Sequence, residues 1–264
     1  MENSLSVQLA ACKAEKELFK LWKRKPLTPI SYIENKKQKN SFINHSNVFI
    51  EDGVIDENIW NSQKGKKILF VLKEAYNGSE DWSLPDWLRQ CLDNNEPFSS
   101  MWKRVIEWIY AVKNTSADNI APYAENICDA NRNLLRHAAV MNLKKSSGRS
   151  NSSYGEIAAY AKSDKEYLKR QLEIIAPDII ICGATFKALN EIFNMQICPP
   201  ENRCENWFYF TKAAVPGKSV LVVDYYHPAN HYPALVNYYA VASIYQQALK
   251  EDARKTKLIL CYFF

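Results

Sequence analysis

Glycine and histidine are scarce in this chain of 264 residues, which has 7 glycines, 4 histidines and 11 prolines. So little glycine and proline excludes a linker-rich or low-complexity chain, and no repeat of fixed period is present. Cys-x-x-Cys pairs are missing altogether. The seven cysteines (Cys12, Cys91, Cys128, Cys182, Cys198, Cys204 and Cys261) are odd in number and scattered, which argues against a disulfide framework and against a zinc or iron–sulfur site. They read as buried thiols. No stretch approaches the roughly 20 apolar residues of a membrane span. The opening "MENSLSVQLAACKAEKELF" reaches charge too early for a signal peptide, so no membrane partner and a cytoplasmic location are expected. A large charge imbalance is absent too: the formal net charge is +5, too small to announce a polyanionic partner by itself.

What is present is ample apolar material. A hydrophobic content of 47% supports a real core in one large domain or two small ones. Charge is uneven: Lys20, Lys23, Arg24, Lys25, Lys36, Lys37 and Lys39 face a single acid, Glu34, across twenty residues. That excess suits either a solvated face or phosphate contacts.

Periodicity predicts a helical arm over about 3–23, ended by Pro26. A polar stretch without clear period follows to about 64, so residues 1–64 are expected to form a helical, basic extension and 65–264 the main domain. Ile68–Leu72 is the first convincing strand, followed by an Asn77-Gly78 turn. Helices are predicted over about 84–92, 99–113 and 122–136. His137–Lys145 reads as a second strand running into the polar loop "KSSGRSNSS". Ser163 and Glu166 have capping-box spacing for a helix to about Ala176. Asp178–Cys182 is a third strand, with a helix over 184–194 behind it. "WFYFT" and "SVLVVDYY" are the remaining strands and "PALVNYYAVASIYQQALK" the closing helix. Strands alternating with helices predict an α/β fold: three layers, α/β/α, around a mainly parallel four-stranded sheet. The apolar end "KLILCYFF" suits an added strand or a packed tail.

Ligands in such sheets sit at the carboxyl ends of the strands. Two of those ends are unusually polar: Lys73-Glu74-Ala75-Tyr76, and Asn142 leading into Lys144, Lys145 and Arg149. A third carries His227 in "YYHPAN". Taken in order, "KEAYNG", "MNLKKSSGRS", "QLEIIAPDIIICG" and "YYHPAN" resemble the motifs of the uracil-DNA glycosylase superfamily, closest to the branch whose first motif reads GEAPG and whose last reads YHPA. The resemblance covers about Lys67 to Lys250. Lys73 stands where that branch has Gly, Tyr76 where it has Pro, and its iron–sulfur cysteines have no counterpart.

The resemblance implies a uracil-DNA glycosylase-like fold and excision of uracil or a related damaged base from DNA, with no metal or organic cofactor. His227 would donate to the base O2 as the leaving group becomes anionic, and Asn142 would read the edge of a flipped base. Glu74 would bind the base or polarise water, with Asp81 a second carboxylate within loop reach. Ala75 occupies the position where other members carry an aspartate. Tyr76, Trp82 or Trp87 would stack on the base, and Lys144, Lys145 and Arg149 would clamp phosphates. His231 lies outside the motif and reads as a surface residue. The alternatives are a glycosylase fold that binds nucleic acid or a nucleotide without catalysis, and a hydrolase of a free nucleoside or another small N-glycoside. The sequence leaves oligomeric state open, a monomer included.

Overall fold

The computed structural model describes residues 2–76, 78–195 and 207–262, with side chains described between Ser4 and Ala253. Asn77, Cys198, Cys204, the side chain of Cys261 and the final residues 263–264 lie outside that set.

Two short helices, α1 (Glu2–Ala11) and α2 (Glu15–Lys23), open the chain. A hairpin follows, β1 (Thr28–Glu34) and β2 (Lys37–Ile43), paired from Thr28↔Ile43 to Glu34↔Lys37. Its two-residue turn, Asn35-Lys36, has positive φ at both positions (50° and 60°), the turn geometry whose twist matches a hairpin. Then come β3 (Ile50–Glu51), β4 (Gly53–Val54), α3 (Glu57–Ser62), β5 (Ile68–Tyr76), β6 (Trp82–Ser83), α4 (Leu84–Asp93), α5 (Ser100–Asn114), α6 (Ile127–Ala130) and a 3₁₀ turn at Arg132–His137. The second half holds β7 (Ala138–Gly148), α7 (Tyr154–Ser163), α8 (Lys165–Ile175), β8 (Ile179–Gly183), α9 (Phe186–Phe193), β9 (Phe208–Val215), β10 (Lys218–Tyr225) and α10 (Ala234–Tyr262).

The main sheet has the order β4-β7-β5-β8-β10-β9. Strands β7, β5, β8 and β10 run parallel, and an antiparallel strand closes each edge. The expected four strands are therefore the centre of six. Alternation along the parallel strands builds two cores. Leu69, Val71, Met141, Leu143, Ile180 and Val222 face α2, α8 and α9 on one side. Phe70, Leu72, Val140, Ile181 and Val223 face α4, α5 and α10 on the other. Among the described residues no helix is long and apolar enough to cross a membrane.

Several local expectations need correction. The first 64 residues are not an extension: Leu18, Phe19 and Trp22 are buried in the main core, each contributing about 1.5–3 kcal/mol by burial, and β4 is an edge of the sheet itself. The expected helix at 122–136 is only α6 and the 3₁₀ turn. Ser146, Ser147 and Gly148, expected in the polar loop, continue β7, and α7 begins at Tyr154 directly after that loop, with Ser153 as its N-cap. The Ser163–Glu166 box does not form. Asp164 is the N-cap of α8 without a side-chain cap bond, because its carboxylate is taken by Lys25 (2.6 Å) and His45 (2.9 Å). Residues 257–262 of the apolar end continue the backbone of α10.

Candidate functional site

β5 and β7 outrun their neighbour β8, and their extra residues pair with each other at Glu74↔Lys144 and Tyr76↔Gly148. Gly148 permits this approach, since a Cβ there would lie 2.6 Å from the carbonyl oxygen of Ala75 and from Cγ of Glu74. The projecting ends, the loop after β10, and the first residues of α4 and α5 enclose a cavity of about 750 Å³. That volume is in the range of a small-molecule site.

His227 reaches this cavity on a loop that is held from outside. Arg104 of α5 donates to the backbone carbonyls of Pro228 (2.6 Å), Asn230 (2.6 Å) and Tyr232 (3.1 Å). Asn230 and Asn237 bond each other through their amides. Gly183 lets the loop settle on β8, because a Cβ there would stand 2.7 Å from Leu72 and 3.2 Å from Pro228. The Ala229 N–H donates to Nδ1 of His227 at 3.2 Å, which assigns the remaining ring proton to Nε2. Burial, and then the Lys73 ammonium, push the imidazole down to about 4. At neutral pH it is an uncharged ring carrying one N–H. His231, by contrast, is exposed, as expected.

Asn142 lies within the buried part of β7. Its backbone N–H donates to Asp52 at 2.6 Å, the residue is 3% exposed, and it lines the cavity. Among the described residues its side-chain amide has no hydrogen-bond partner. An unpaired amide at such burial is costly, and here it borders a space that a ligand's polar edge would fill.

Glu74 also lines the cavity, but both carboxylate oxygens are engaged: one accepts from Lys144 Nζ at 2.9 Å, the other from the Arg149 N–H at 3.3 Å. Lys144 is shared with Glu156 at 3.1 Å. Burial alone would lower this ammonium, and the bonds from Glu74 and Glu156 outweigh it and raise it above its ordinary value. The expected phosphate clamp is therefore corrected at two of its three positions. Lys144 is buried between two acids. Lys145 is wholly buried, bonded to both oxygens of Asp52 (2.6 and 2.7 Å) and to Gln171 (2.8 Å), and is not in the cavity lining. Arg149 alone stays at the rim, 55% exposed, held by Glu156 at 3.2 Å. Asp81 is likewise turned away, accepting from the Phe49 N–H and pairing with Lys23.

The flat walls are aromatic. Ala75 and the 65%-exposed Tyr76 form one rim. Trp82 meets Trp87 edge-on at 6.4 Å, and Trp87 leans on Trp102 at 6.4 Å. The indole N–H of Trp82 is buried and has no partner among the described residues. Trp102 and Met101 were not singled out from sequence as site residues. They open the apolar stripe of α5, and nothing in that stripe separates pocket from core.

His227, Asn142, Glu74, Ala75, Tyr76, Trp82 and Arg149 thus meet at one cavity, while Lys144 sits behind Glu74 and Lys145 on the opposite face of β7. Compared with known proteins, the chain matches no family model and no curated sequence.

Proposed function

We propose that this protein is a monofunctional DNA glycosylase acting on uracil or a related damaged base. The observation that carries the reading is the convergence of the neutral His227 imidazole and the unpartnered Asn142 amide on one aromatic-walled cavity. In the reaction, water adds to the sugar C1′ and the bond to the base nitrogen breaks, its electron pair leaving with the base. Negative charge gathers on the base oxygens, so the useful protein groups are donors already aimed there. The Nε2–H of His227 supplies one such donor, and being neutral it does so without repelling the nearby Lys73. The Asn142 amide offers a donor and an acceptor to the base edge. The base stacks on Trp82 or Tyr76, an interaction of about 1–3 kcal/mol.

Glu74 has a different role from the one its position suggests. With one oxygen accepting from Lys144 and the other from the Arg149 N–H, it braces β5 against β7, and those donors compete with a water for its lone pairs. This same observation favours a second reading, in which the cavity binds a nucleic acid or nucleotide and performs no chemistry. Incubation with uracil-containing single- and double-stranded oligonucleotides, then hot alkali, separates the two. Strand scission supports excision; tight binding without scission supports the reader.

A further inference from the structure

Within the basic run between Lys20 and Lys39, two lysines are consumed internally and three at the end of the run are not. Lys23 is spent on Glu51 and Asp81, both at 3.1 Å, and Lys25 on Asp164 at 2.6 Å. Lys36, Lys37 and Lys39 are exposed and, among the described residues, have no ion-pair partner. All three lie on the turn and outer strand of the β1–β2 hairpin.

This hairpin is anchored beside the cavity. Ile30 and Ile43 pack on Tyr160 of α7, and the Ile33 carbonyl sits so close to Gly155 that a Cβ there would be 2.3 Å away. Near the tip, Glu34 pairs with Arg149 at 3.7 Å, and Arg149 is on the rim of the His227 cavity. Lys37 is the direct cross-strand partner of Glu34, and Lys39 of Tyr32, so their side chains leave the same face of the hairpin, roughly 7 Å apart along β2. A second cavity of about 740 Å³ lies between β1 and the start of α7, and Ser152 lines both cavities. The second cavity thus lies along the β1 side of the hairpin whose turn and β2 carry Lys36, Lys37 and Lys39, and it adjoins the aromatic pocket at Ser152.

We propose that the tip and outer strand of this hairpin hold the phosphodiester backbone of a nucleic-acid strand beside the nucleotide whose base enters the cavity. The inference rests on the reading of that cavity as a base-binding site. It transfers the phosphate-holding role from Lys144 and Lys145, whose charge is consumed internally, to Lys36, Lys37 and Lys39, whose charge is not. Backbone contacts of this kind set position and affinity without reading sequence, and each one formed steepens the salt dependence of binding by releasing counterions.

The test compares wild type with Lys36→Gln/Lys37→Gln/Lys39→Gln, with melting temperature checked for both. Binding to a long uracil-containing oligonucleotide is measured across a salt series, and excision is measured on that oligonucleotide and on a uracil-containing trinucleotide too short to reach the hairpin. The triple variant should show a log K against log salt slope shallower by about 2.1 on a single strand, about 0.7 for each of three contacts, with trinucleotide excision unchanged. An unaltered slope, or a wild type that does not bind the long strand, overturns the hairpin proposal. A wild type that excises from the long oligonucleotide while the variant matches it there in both binding and excision sinks the hairpin and leaves the glycosylase reading standing. A wild type that binds through the hairpin without excising anything does the reverse.

Discussion

Asn142 and Lys145 are three residues apart on one strand and live in opposite regimes. Behind the sheet, every charged atom near Lys145 is answered: Asp52 bonds Lys145, Gln171 and the Asn142 N–H, and Gln171 reaches Glu15. In front of it, the Asn142 amide, the Trp82 indole N–H and the ring N–H of His227 are left without protein partners among the described residues. Polar groups of the first kind hold the fold, and those of the second kind are the ones the proposed function turns toward a ligand. The comparison teaches that burial alone does not mark function, whereas unanswered burial beside a cavity does.

The sharpest way to break the contrast is to disturb the answered side. Lys145→Met leaves Asp52 buried without its cation and should cost about 3–5 kcal/mol in urea unfolding; a loss under 1 kcal/mol would show the network to be dispensable. On the unanswered side, His227→Ala should lower the excision rate roughly 10²–10³-fold, as for loss of a transition-state donor, with urea stability near wild type. Equal loss of both would make the imidazole a structural group. Trp82→Ala should weaken binding of a uracil-containing strand by about 1–3 kcal/mol, read by fluorescence titration; unchanged affinity would assign stacking to Tyr76 or Trp87.

The smallest effect is electrostatic. The folded His227 sits at about 4 against an ordinary value of 6.5, so the folded state binds fewer protons than the unfolded one over that interval. Its contribution to stability is complete above pH 6.5 and is lost as pH falls through about 4. Glu15 works oppositely: burial raises it to about 7 against the opposing Val54 N–H bond, so its contribution declines as pH climbs from 4.5 to 7. Lys73→Met removes a positive neighbour, and the imidazole titration followed by NMR should move upward. An unmoved titration would leave burial as the sole cause.

Much of this was legible in the sequence because it is written locally. Aliphatic runs ending in polar clusters marked the parallel strands, and the strand-end rule brought His227, Asn142 and Glu74 to one place. The fate of the lysines was not legible, since the acids that answer Lys144 and Lys145 come from Asp52, Glu74 and Glu156, and only folding makes them neighbours. The hairpin escaped notice because β2 is exposed at all but one position and shows no apolar alternation. Helix α7 was hidden by "SNSSYG", whose serines read as loop while Ser153 caps the helix through the Glu156 N–H.

Arg104 carries a consequence for motion. Three carbonyls of one turn are fastened to a helix on the far side of the sheet from α7, so the imidazole's aim is fixed by α5 and not by the segment that bears it. Under the proposed function, widening of the cleft for an incoming nucleotide then falls to the opposite lip, Tyr76 and the 149–152 bend, and a crosslink restraining that lip would slow entry while leaving the imidazole where it stands.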